Sequence, residues 1–245
     1  MLKMTENLYN GIIIEFIDDK NSDFEKELKD IILKAKVEKK ELLWLDLTTK
    51  ESKYIAISLD LGFKFHNCEF ERTTLVYSVV PDAYIPVPPT HTIGVGAIVI
   101  NSKNELLMVR DRIHNNHSRY KLPGGMLEPE SRLIDGVKRE VLEETGIKTK
   151  FKKLVSILNA HPYRFNKSNL YIVFELEPLS TEINIIDTNE IELALWVRLD
   201  EFFDDKEIST FQKDLVKRAL ETKGLTMLKN QDNYFKNKMH VEVYG

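Results

Sequence analysis

The sequence of 245 residues predicts an α/β protein of two domains, and three observations lead to that prediction. Short apolar runs alternate with segments of helical periodicity from the amino terminus to about residue 88. A proline-rich stretch, PDAYIPVPPTH (81–91), then interrupts the pattern, as a stiff and extended connector would. Beyond it the alternation resumes. We therefore predict domains at 1–88 and 89–225, followed by a polar C-terminal tail at 226–245.

The composition is that of an ordinary soluble globular protein and argues against several classes of function. The chain is 42% hydrophobic and 30% charged, and its net charge is −4. DNA-binding domains are usually basic, so we expect no DNA partner. No apolar run approaches the about 20 residues of a membrane span, and the N-terminus lacks the pattern of a secretory signal. We expect a cytoplasmic protein with no membrane partner, in which Cys68, the only cysteine, is a buried and inert thiol.

The first domain is predicted to alternate strands and helices in the order β-α-β-α-β-β. Apolar runs indicate its strands, and apolar residues at three- and four-residue spacing indicate its helices. The elements are a strand at GIIIEFID (11–18), a helix from Phe24 to Ala35 capped within 21–23, a strand at LLWLDL (42–47), a helix from Tyr54 to Leu61 that ends at Gly62, and a hairpin of FKFHNCEF (63–70) and TTLVYSVV (73–80). His66, alone in an apolar strand, is expected to be structural.

The second domain is predicted to contain five strands and two helices. One helix, within 122–147, is treated separately below. The other elements are a hairpin of TIGVGAIVIN (92–101) and ELLMVRD (105–111), two strands at FKKLVSILNAH (151–161) and SNLYIVFELEPL (168–179), a strand at LALWVRL (193–199), and a helix from Ile208 to Lys223 with Gly224 as its terminator. The sequence leaves open whether the last residues form a strand pair, a dimer arm or a loose tail.

The stretch LPGGMLEPESRLIDGVKREVLEETGI (122–147) combines a glycine turn, an acidic loop and one helix. Leu133, Val137 and Val141 recur at four-residue spacing, which gives the helix one apolar face. Ser131 is a candidate N-cap, and Gly146 stands where a helix needs a left-handed terminator. We therefore predict a helix between these two residues, packed against the domain core.

The predicted helix also carries a cluster of carboxylates. Glu140, Glu143 and Glu144 stand at positions i, i+3 and i+4, so they share one face although like charges at that spacing repel each other. Gly124 and Gly125 permit a tight turn that brings a bare carbonyl near them. Oxygen ligands of this kind suit Mg²⁺ or Mn²⁺. The alternative is a solvated acidic face, which is the commoner explanation of an acidic run.

This stretch resembles the signature of the Nudix hydrolases, G-x5-E-x7-R-E-U-x-E-E-x-G-U, in which U is aliphatic. Gly125 opens the pattern, and its second half is complete from Arg139 to Ile147. One position departs from it, because Ser131 stands where the signature has its first glutamate. The resemblance implies that the second domain is a Nudix α/β/α sandwich with a mixed sheet.

The first domain resembles the acetyltransferase-like domain that precedes the catalytic domain in one branch of the Nudix family. The likeness lies in WLDL (44–47), the helix after it, and LGFKFHNCE (61–69). Acetyltransferases of that fold hold the coenzyme pyrophosphate with a glycine-rich turn before a helix. Residues 1–88 offer only Gly11 and Gly62, which are wrongly placed for such a turn. We expect a degenerate domain that serves packing, substrate-pocket shape or the formation of a homodimer.

The resemblance implies hydrolysis of a nucleoside diphosphate linked to a second group, with ADP-ribose or NADH favoured as the small-molecule substrate. It implies a Mg²⁺ or Mn²⁺ cofactor held by the Gly124 carbonyl, Glu140, Glu143 and Glu144. Glu143, Glu140 and a downstream carboxylate, either Glu190 or Glu192, are the implied catalytic groups. Gly125, Arg139 and Gly146 are the implied structural residues of the signature.

Four basic residues before the glycine turn are candidate ligands for the substrate diphosphate, because guanidinium groups bind phosphate oxygens in pairs. They are Arg110, Arg112, Arg119 and Lys121. The alternative is a solvated loop, and the neighbouring His114 and His117 are expected to be exposed loop residues without a metal.

Two other functions stay open at this point. Ser131 favours a non-catalytic module that keeps the Nudix pocket and binds a nucleotide without cleaving it. An acyltransferase centred on residues 1–90 is the second alternative, and the missing glycine-rich turn counts against it.

Overall fold

A computed structural model describes residues 2–18, 23–113, 120–228 and 241–245 of the chain. The chain divides into two compact units, Met1–Thr90 and His91–Gly245. The division falls at the end of the proline-rich stretch, two residues from the boundary that the sequence suggests. No helix in the described ranges is both long enough and apolar enough to cross a membrane.

The first unit is a five-stranded sheet with two helices. The sheet order is β1-β2-β3-β5-β4, in which β2 and β3 are parallel and the other neighbours antiparallel. Ile14, Leu28 and Leu43 are fully buried in its core. The elements are β1 (Leu2–Glu6), β2 (Ile12–Phe16), α1 (Phe24–Val37), β3 (Leu42–Thr48), α2 (Lys53–Asp60), β4 (Lys64–Cys68) and β5 (Arg72–Ser78).

The structure confirms the predicted elements of the first unit and differs in two respects. Strand β1 was not predicted, because LKMTE lies at the sheet edge, is mostly exposed and lacks an apolar run. Cys68, predicted to be buried, is exposed at the end of edge strand β4. The Asp23 side chain caps α1 by accepting a hydrogen bond from the amide of Lys26, whereas residues 21 and 22 lie outside the described ranges.

The second unit contains a mixed four-stranded sheet, a two-stranded sheet and three helices. The larger sheet has the order β8-β6-β10-β9, with β6 and β10 parallel, and the smaller one pairs β7 with β11. The elements are β6 (His91–Val99), β7 (Glu105–Asp111), β8 (Gly124–Met126), α3 (Leu133–Thr145), β9 (Thr149–Ala160), β10 (Ser168–Pro178), β11 (Ile191–Arg198), α4 (Leu199–Asp204) and α5 (Thr210–Glu221).

Helices cover both faces of the larger sheet, which confirms the predicted α/β/α sandwich. Successive side chains of a strand point to opposite faces. Phe174 of β10 packs in one cluster with Val137 and Val141 of α3, whereas its neighbour Val173 packs with Val216 of α5 in another. The two faces therefore bury different helices, and α3 is held rigidly by its apolar stripe.

The predicted hairpin of β6 and β7 is wrong beyond its turn. Only Ile100 and Leu106 form a bridge there. Both edges of β6 are already occupied, by β8 and β10, so β7 diverges and pairs with β11. This pairing carries the end of β7 to the loop before β11, which matters for the site described below.

The predicted C-terminal tail at 226–245 is described only at 226–228 and 241–245, where Met227 and Tyr244 form an antiparallel bridge. Leu225 exchanges backbone hydrogen bonds with Leu154 of β9, and the amide of Leu228 donates to the carbonyl of Val243. The ring of Tyr244 lies 5.9 Å from those of Phe151 and Phe174. The described part of this segment therefore belongs to the second unit, and Tyr244 packs against the core there.

Candidate active site

The glycine turn forms β8, and two of its positions require the absence of a side chain. Gly124 has φ +151°, and a Cβ there would lie 2.3 Å from the carbonyl oxygen of Val95. At Gly125 a Cβ would lie 2.5 Å from Oε2 of Glu140. The carboxylate of Glu140 therefore rests against bare backbone, as the predicted close approach of turn and helix requires.

Helix α3 presents the signature to this turn, but it does not begin as predicted. Its N-cap is Arg132, which makes no side-chain cap hydrogen bond, so Ser131 is not the cap. The carboxylate of Glu242 accepts hydrogen bonds from the amides of Leu133 and Ile134 instead, at 2.7 and 3.4 Å. The helix ends as predicted at Gly146, whose φ is +76°.

Arg139 orients two carboxylates of its own helix by hydrogen bonds. Its Nη1 donates to Glu143 and its Nη2 donates to Glu140, each at 2.6 Å. Its Nε lies 3.7 Å from the carboxylate of Glu128, three residues before Ser131. Charge-assisted hydrogen bonds of this kind hold both carboxylates in one orientation. Glu128 thus supplies a carboxylate to the site from the loop in which the signature glutamate is missing.

Glu144 is the most buried acid of the cluster, with 3% of its surface exposed. Its Oε2 accepts a hydrogen bond from the amide of Gly124 at 2.8 Å, whereas its buried Oε1 has no hydrogen-bond partner within the described residues. Burial raises the pKa of Glu144 to about 7, against the opposing effects of Lys121 and the Gly124 amide. Burial also raises the pKa of Glu140.

A second group of charged residues faces Glu144. Lys121 Nζ lies 2.7 Å from Asp111, 3.4 Å from Glu144 and 3.9 Å from Glu190. The three carboxylates each place an oxygen within 4.8 Å of the other two. Asp111 was missed by the sequence analysis, although it ends β7 and pairs with Ile191, next to Glu190. The register of β7 and β11 therefore brings these acids together.

The residues of both groups line one cavity of about 530 Å³. Among the described residues, its charged lining consists of seven carboxylates and three cationic side chains. The acids are Asp111, Glu128, Glu140, Glu143, Glu144, Asp187 and Glu190, and the cations are Lys121, Arg139 and Arg164. An excess of carboxylates over cations in a concave site favours the binding of a divalent cation.

Tyr163, Arg164, Asn169 and Tyr171 complete the cavity, and the sequence analysis did not find them. They lie on β10 and on the loop before it. Burial raises the pKa of Tyr171 to about 12, so its hydroxyl is neutral. This hydroxyl lies over β6, where a Cβ at Gly96 would be 2.0 Å from it. Small residues on β6 thus make room for the ring.

Two of the predicted diphosphate ligands have other partners in the structure. Arg110 pairs with Glu192 at 3.1 Å, and Arg112 donates two hydrogen bonds to the carbonyl of Thr188. Neither is among the described residues that line the cavity. Because Arg110 and Asp111 are successive strand residues, they point to opposite sides. Glu192 pairs with Arg110 and is not among the described residues that line the cavity. Of the two predicted downstream acids, Glu190 is therefore the one that lies in the site.

Of the remaining residues that the sequence singled out, the structure describes only Lys121. Lys121 lines the cavity, but its ammonium is engaged by carboxylates. Arg119, His114 and His117 lie outside the described residues.

The side chains fit a divalent metal of the Mg²⁺ or Mn²⁺ type. These ions take oxygen ligands, and the cavity offers several carboxylates, with neither cysteine nor histidine among its described lining residues. The buried Oε1 of Glu144, which accepts no hydrogen bond in the described chain, is an oxygen in the state that a metal ligand would have. Burial is the main cause of the raised pKa of Glu144, and the charge of Glu140 contributes less, so an added cation would favour the ionised form of this acid.

Two family models match the chain and together cover most of it. A model described as NUDIX domain matches residues 90–219, and one described as Nudix hydrolase domain matches residues 2–79. The boundary between the matches agrees with the division of the structure into two units.

Curated relatives carry Nudix names. Nudix hydrolase 8 of Arabidopsis thaliana is 30% identical over 214 residues, which are 85% of this chain and 58% of that protein. Nucleoside diphosphate-linked moiety X motif 6 of Homo sapiens is 36% identical over 165 residues, or 66% of this chain and 52% of that protein. The chain thus spans little more than half the length of these relatives. Among solved structures, the MutT protein of Methanosarcina mazei Go1 is similar with a TM-score of 0.45, 26% identity, and coverage of 56% of this chain and 98% of that one.

Proposed function

This chain belongs to the Nudix family, and from that premise we propose that it is a metal-dependent hydrolase of a nucleoside diphosphate linked to a second group. The observation that carries the proposal is the cavity in which the acids of α3, the glycine turn and Glu190 meet. A diphosphate is strongly anionic, so a cavity with an excess of carboxylates could not bind it without added positive charge. The site is therefore suited to a metal–diphosphate complex rather than to a free anion.

Glu140, Glu143 and Glu144 would hold the cation, together with the carbonyl of Gly124 that the family signature implies. When bound, a divalent cation neutralises the diphosphate and lowers the pKa of water. The chain itself supplies the rigidity of the site. Arg139 orients Glu140 and Glu143, and the Gly124 amide orients Glu144. Groups held in this way lose no orientational freedom when the substrate binds.

Glu190 is the residue that we assign as general base. Its loop is fixed from both sides, because the Arg112 amide donates to the Glu190 carbonyl at 2.7 Å and the Glu190 amide donates to Asp187 at 3.1 Å. Its carboxylate nevertheless remains 61% exposed on the cavity wall, where it can reach a water. Glu143, the alternative base, is restrained by its hydrogen bond to Arg139. A base must accept a proton from water within hydrogen-bond reach, and Glu190 meets that condition more freely.

Tyr163 and Arg164 are the residues that we assign to the nucleoside end of the substrate. The guanidinium carbon of Arg164 lies 5.8 Å from the centre of the Tyr163 ring, and both line the cavity. An aromatic ring can stack on a nucleobase, and a guanidinium can pair with phosphate oxygens. Asn169 adds an amide to the same wall. A substrate with a nucleoside on one side of a diphosphate, such as ADP-ribose or NADH, is therefore the first class to test.

The test is a panel of ADP-ribose, NADH, coenzyme A, nucleoside triphosphates and dinucleoside polyphosphates, each incubated with Mg²⁺, with Mn²⁺ or with a chelator. Products are identified by chromatography and mass. We expect cleavage within the diphosphate of one class, only when the metal is present. Cleavage that persists in chelator would contradict the assignment of a metal-dependent site, because the reaction would then not require Mg²⁺ or Mn²⁺.

A second candidate is a Nudix-fold module that binds a nucleotide without cleaving it, because Ser131 replaces the first glutamate of the signature. The contact of Glu128 with Arg139 counts against it, since a carboxylate is still present beside that arginine. No turnover across the panel, with saturable binding of a metal–nucleotide complex, would favour this module. Metal-dependent turnover in a Ser131→Glu variant alone would identify Ser131 as the cause.

A further inference from the structure

Lys121 occupies an unusual position for a lysine that lines a substrate cavity. Its ammonium is directed at three carboxylates, Asp111, Glu144 and Glu190, at 2.7, 3.4 and 3.9 Å. These acids come from three elements: the end of β7, helix α3 and the loop before β11. Their oxygens lie within 4.8 Å of one another, which is close enough for one cation to contact all three.

The backbone holds Lys121 where its side chain can reach these acids. The amide of Lys121 donates to the carbonyl of Val109 at 2.8 Å, and the amide of Val109 donates to the carbonyl of Lys121 at 2.9 Å. This isolated bridge to β7 fixes the position of the residue just before the glycine turn. The backbone of Lys121 is therefore held in position, and its ammonium lies within reach of the three acids.

We infer that Lys121 takes the place of one divalent cation, so that the Asp111–Glu144–Glu190 group of the native chain is neutralised by the protein itself. The inference draws on the proposed function only for the metal that Glu140, Glu143 and Glu144 hold. Asp111 in this arrangement is a partner of Lys121 and not a metal ligand. Glu144 is shared, with one oxygen bound by the Gly124 amide and the other facing Lys121.

The position of the ammonium explains why it would exclude a metal ion. The ammonium lies 2.7 Å from Asp111 and 3.4 Å from Glu144, so a metal ion bound to all three acids would have to occupy the space that the ammonium already fills. The contacts with Asp111, Glu144 and Glu190 hold the ammonium in this place.

Removal of the ammonium would leave Asp111 and Glu190 beside a buried oxygen of Glu144, with no positive charge between the three acids. The Glu144 side chain is 4% exposed and its Oε1 accepts no hydrogen bond from the described residues. Such a group is costly without a counter-charge. In Lys121→Met, a methionine of similar length fills the space without charge, and a divalent cation becomes the available counter-charge.

The experiment counts Mn²⁺ ions bound per chain, without substrate, by electron paramagnetic resonance of the free ion in metal-stripped full-length protein. We expect Lys121→Met to bind one Mn²⁺ more than the native chain. The double variant Lys121→Met/Asp111→Asn should lose that additional ion, because the group then lacks one of its acids. Lys148→Met, at an exposed lysine, is the matched control and should bind as many ions as the native chain.

A second measurement covers the case in which Lys121→Met folds poorly. Asp111→Asn in the native background removes one acid but keeps the ammonium, and we expect its Mn²⁺ count to equal that of the native chain. Loss of an ion in Asp111→Asn would overturn the inference, because Asp111 would then be a ligand in the native protein. An unchanged count in a folded Lys121→Met variant would overturn it as well.

Thermal unfolding gives an independent readout. Lys121→Met should unfold at a lower temperature than the native chain in chelator, and Mn²⁺ should raise its unfolding temperature by more than it raises that of the native chain. None of these measurements uses turnover. Failure of the hydrolase assay with the expected ion counts would thus refute the proposed function alone, whereas turnover with equal ion counts would refute this inference alone.

Discussion

The two units each contain a cavity, and the two cavities differ in chemistry far more than in size. The cavity of the first unit, about 690 Å³, is lined mainly by apolar and aromatic residues such as Trp44, Tyr84 and Pro86, with Glu41 as the one charged side chain among its described lining residues. The cavity of the second unit, about 530 Å³, has seven carboxylates and three cationic side chains. A concave space is therefore common to both units, and the arrangement of charge is what distinguishes a candidate catalytic site.

The comparison extends to the residues that had been considered for catalysis in the first unit. His66 has its Nε2 2.6 Å from the carbonyl oxygen of Pro86, and its ring makes an edge contact with Trp44. Its contacts are those of a structural residue, as predicted. In the second unit, by contrast, burial raises the pKa values of Glu140 and Glu144, and the acids around Lys121 raise its pKa against the opposing effect of burial. Shifted pKa values around a cavity are a mark of functional sites.

Glycine substitutions give the largest contrast between the two units. In Gly125→Ala the new methyl group would overlap Oε2 of Glu140 at 2.5 Å, so the carboxylate must move. A displacement of about 1 Å in a catalytic group can cost on the order of a hundredfold in rate, and we expect a loss of that size in kcat. The measurement is steady-state turnover of the substrate that the panel identifies.

Gly11→Ala is the matched control in the first unit. Its methyl group would meet the side chain of Asn7 at 2.9 Å and the Leu42 carbonyl at 3.2 Å, so the local packing is disturbed without any change in the carboxylates of the second unit. We expect turnover close to the native value. Equal losses in the two variants would show that the glycine of the signature has no special relation to the site.

The pH dependence of stability is expected to differ between the units because of Glu144. Its pKa in the folded chain is about 7, against 4.5 for the ordinary side chain, so the folded state retains this proton to higher pH than the unfolded state. Metal-free protein should therefore lose stability as the pH rises from 4.5 to 7, by up to about 3 kcal/mol in the second unit. Below that window the effect vanishes, and above it the loss is complete.

The two tryptophans allow the units to be followed separately, because Trp44 lies in the first and Trp196 in the second. In a Trp44→Phe background, urea unfolding monitored by Trp196 fluorescence in chelator should show the loss between pH 5 and pH 8. Adding Glu144→Gln should abolish most of it, because the amide does not titrate. The same loss in both backgrounds would mean that another group is responsible.

The smallest expected effect concerns the start of α3. Glu242 accepts hydrogen bonds from two amides of its first turn, a role that Ser131 had been predicted to fill. Glu242→Ala should lower the free energy of unfolding of the second unit by about 1 kcal/mol, the usual value of a helix cap. Ser131→Ala should change it by much less. Urea unfolding of both variants measures the two changes in the free energy of unfolding. A larger decrease in Ser131→Ala than in Glu242→Ala would show that the cap has been assigned to the wrong residue.

The parts of the site that sequence predicted are those encoded by local spacing. The helix, its acids, Arg139 and the two glycines lie within one stretch of 26 residues, and helical geometry alone places Glu140, Glu143 and Glu144 together. The resemblance to the family signature then implied that these acids hold a metal ion and take part in catalysis. The same locality explains why α1, α2, α3, α5 and most of the strands were predicted, whereas β1 and α4 were not.

The parts that were missed depend on contacts between distant segments. Asp111 joins the site only because β7 pairs with β11 instead of β6, and that choice follows from the occupied edges of β6. Tyr171 and Arg164 come from the β9–β10 region, and Glu242 reaches α3 from more than a hundred residues along the chain. Arg110 and Arg112 have suitable chemistry, but strand alternation and the register of β11 give them other partners. Sequence spacing carries no information on such pairings.

The most direct test compares one carboxylate from each cavity. Glu144→Gln and Glu41→Gln are isosteric changes of one acid, and each is assayed for metal-dependent diphosphate cleavage under identical conditions, with circular dichroism to verify folding. If the carboxylates of the second unit are the catalytic site, Glu144→Gln loses at least about a hundredfold in kcat/KM, while Glu41→Gln stays within about twofold of the native protein. Near-native turnover in folded Glu144→Gln would contradict the assignment of the active site.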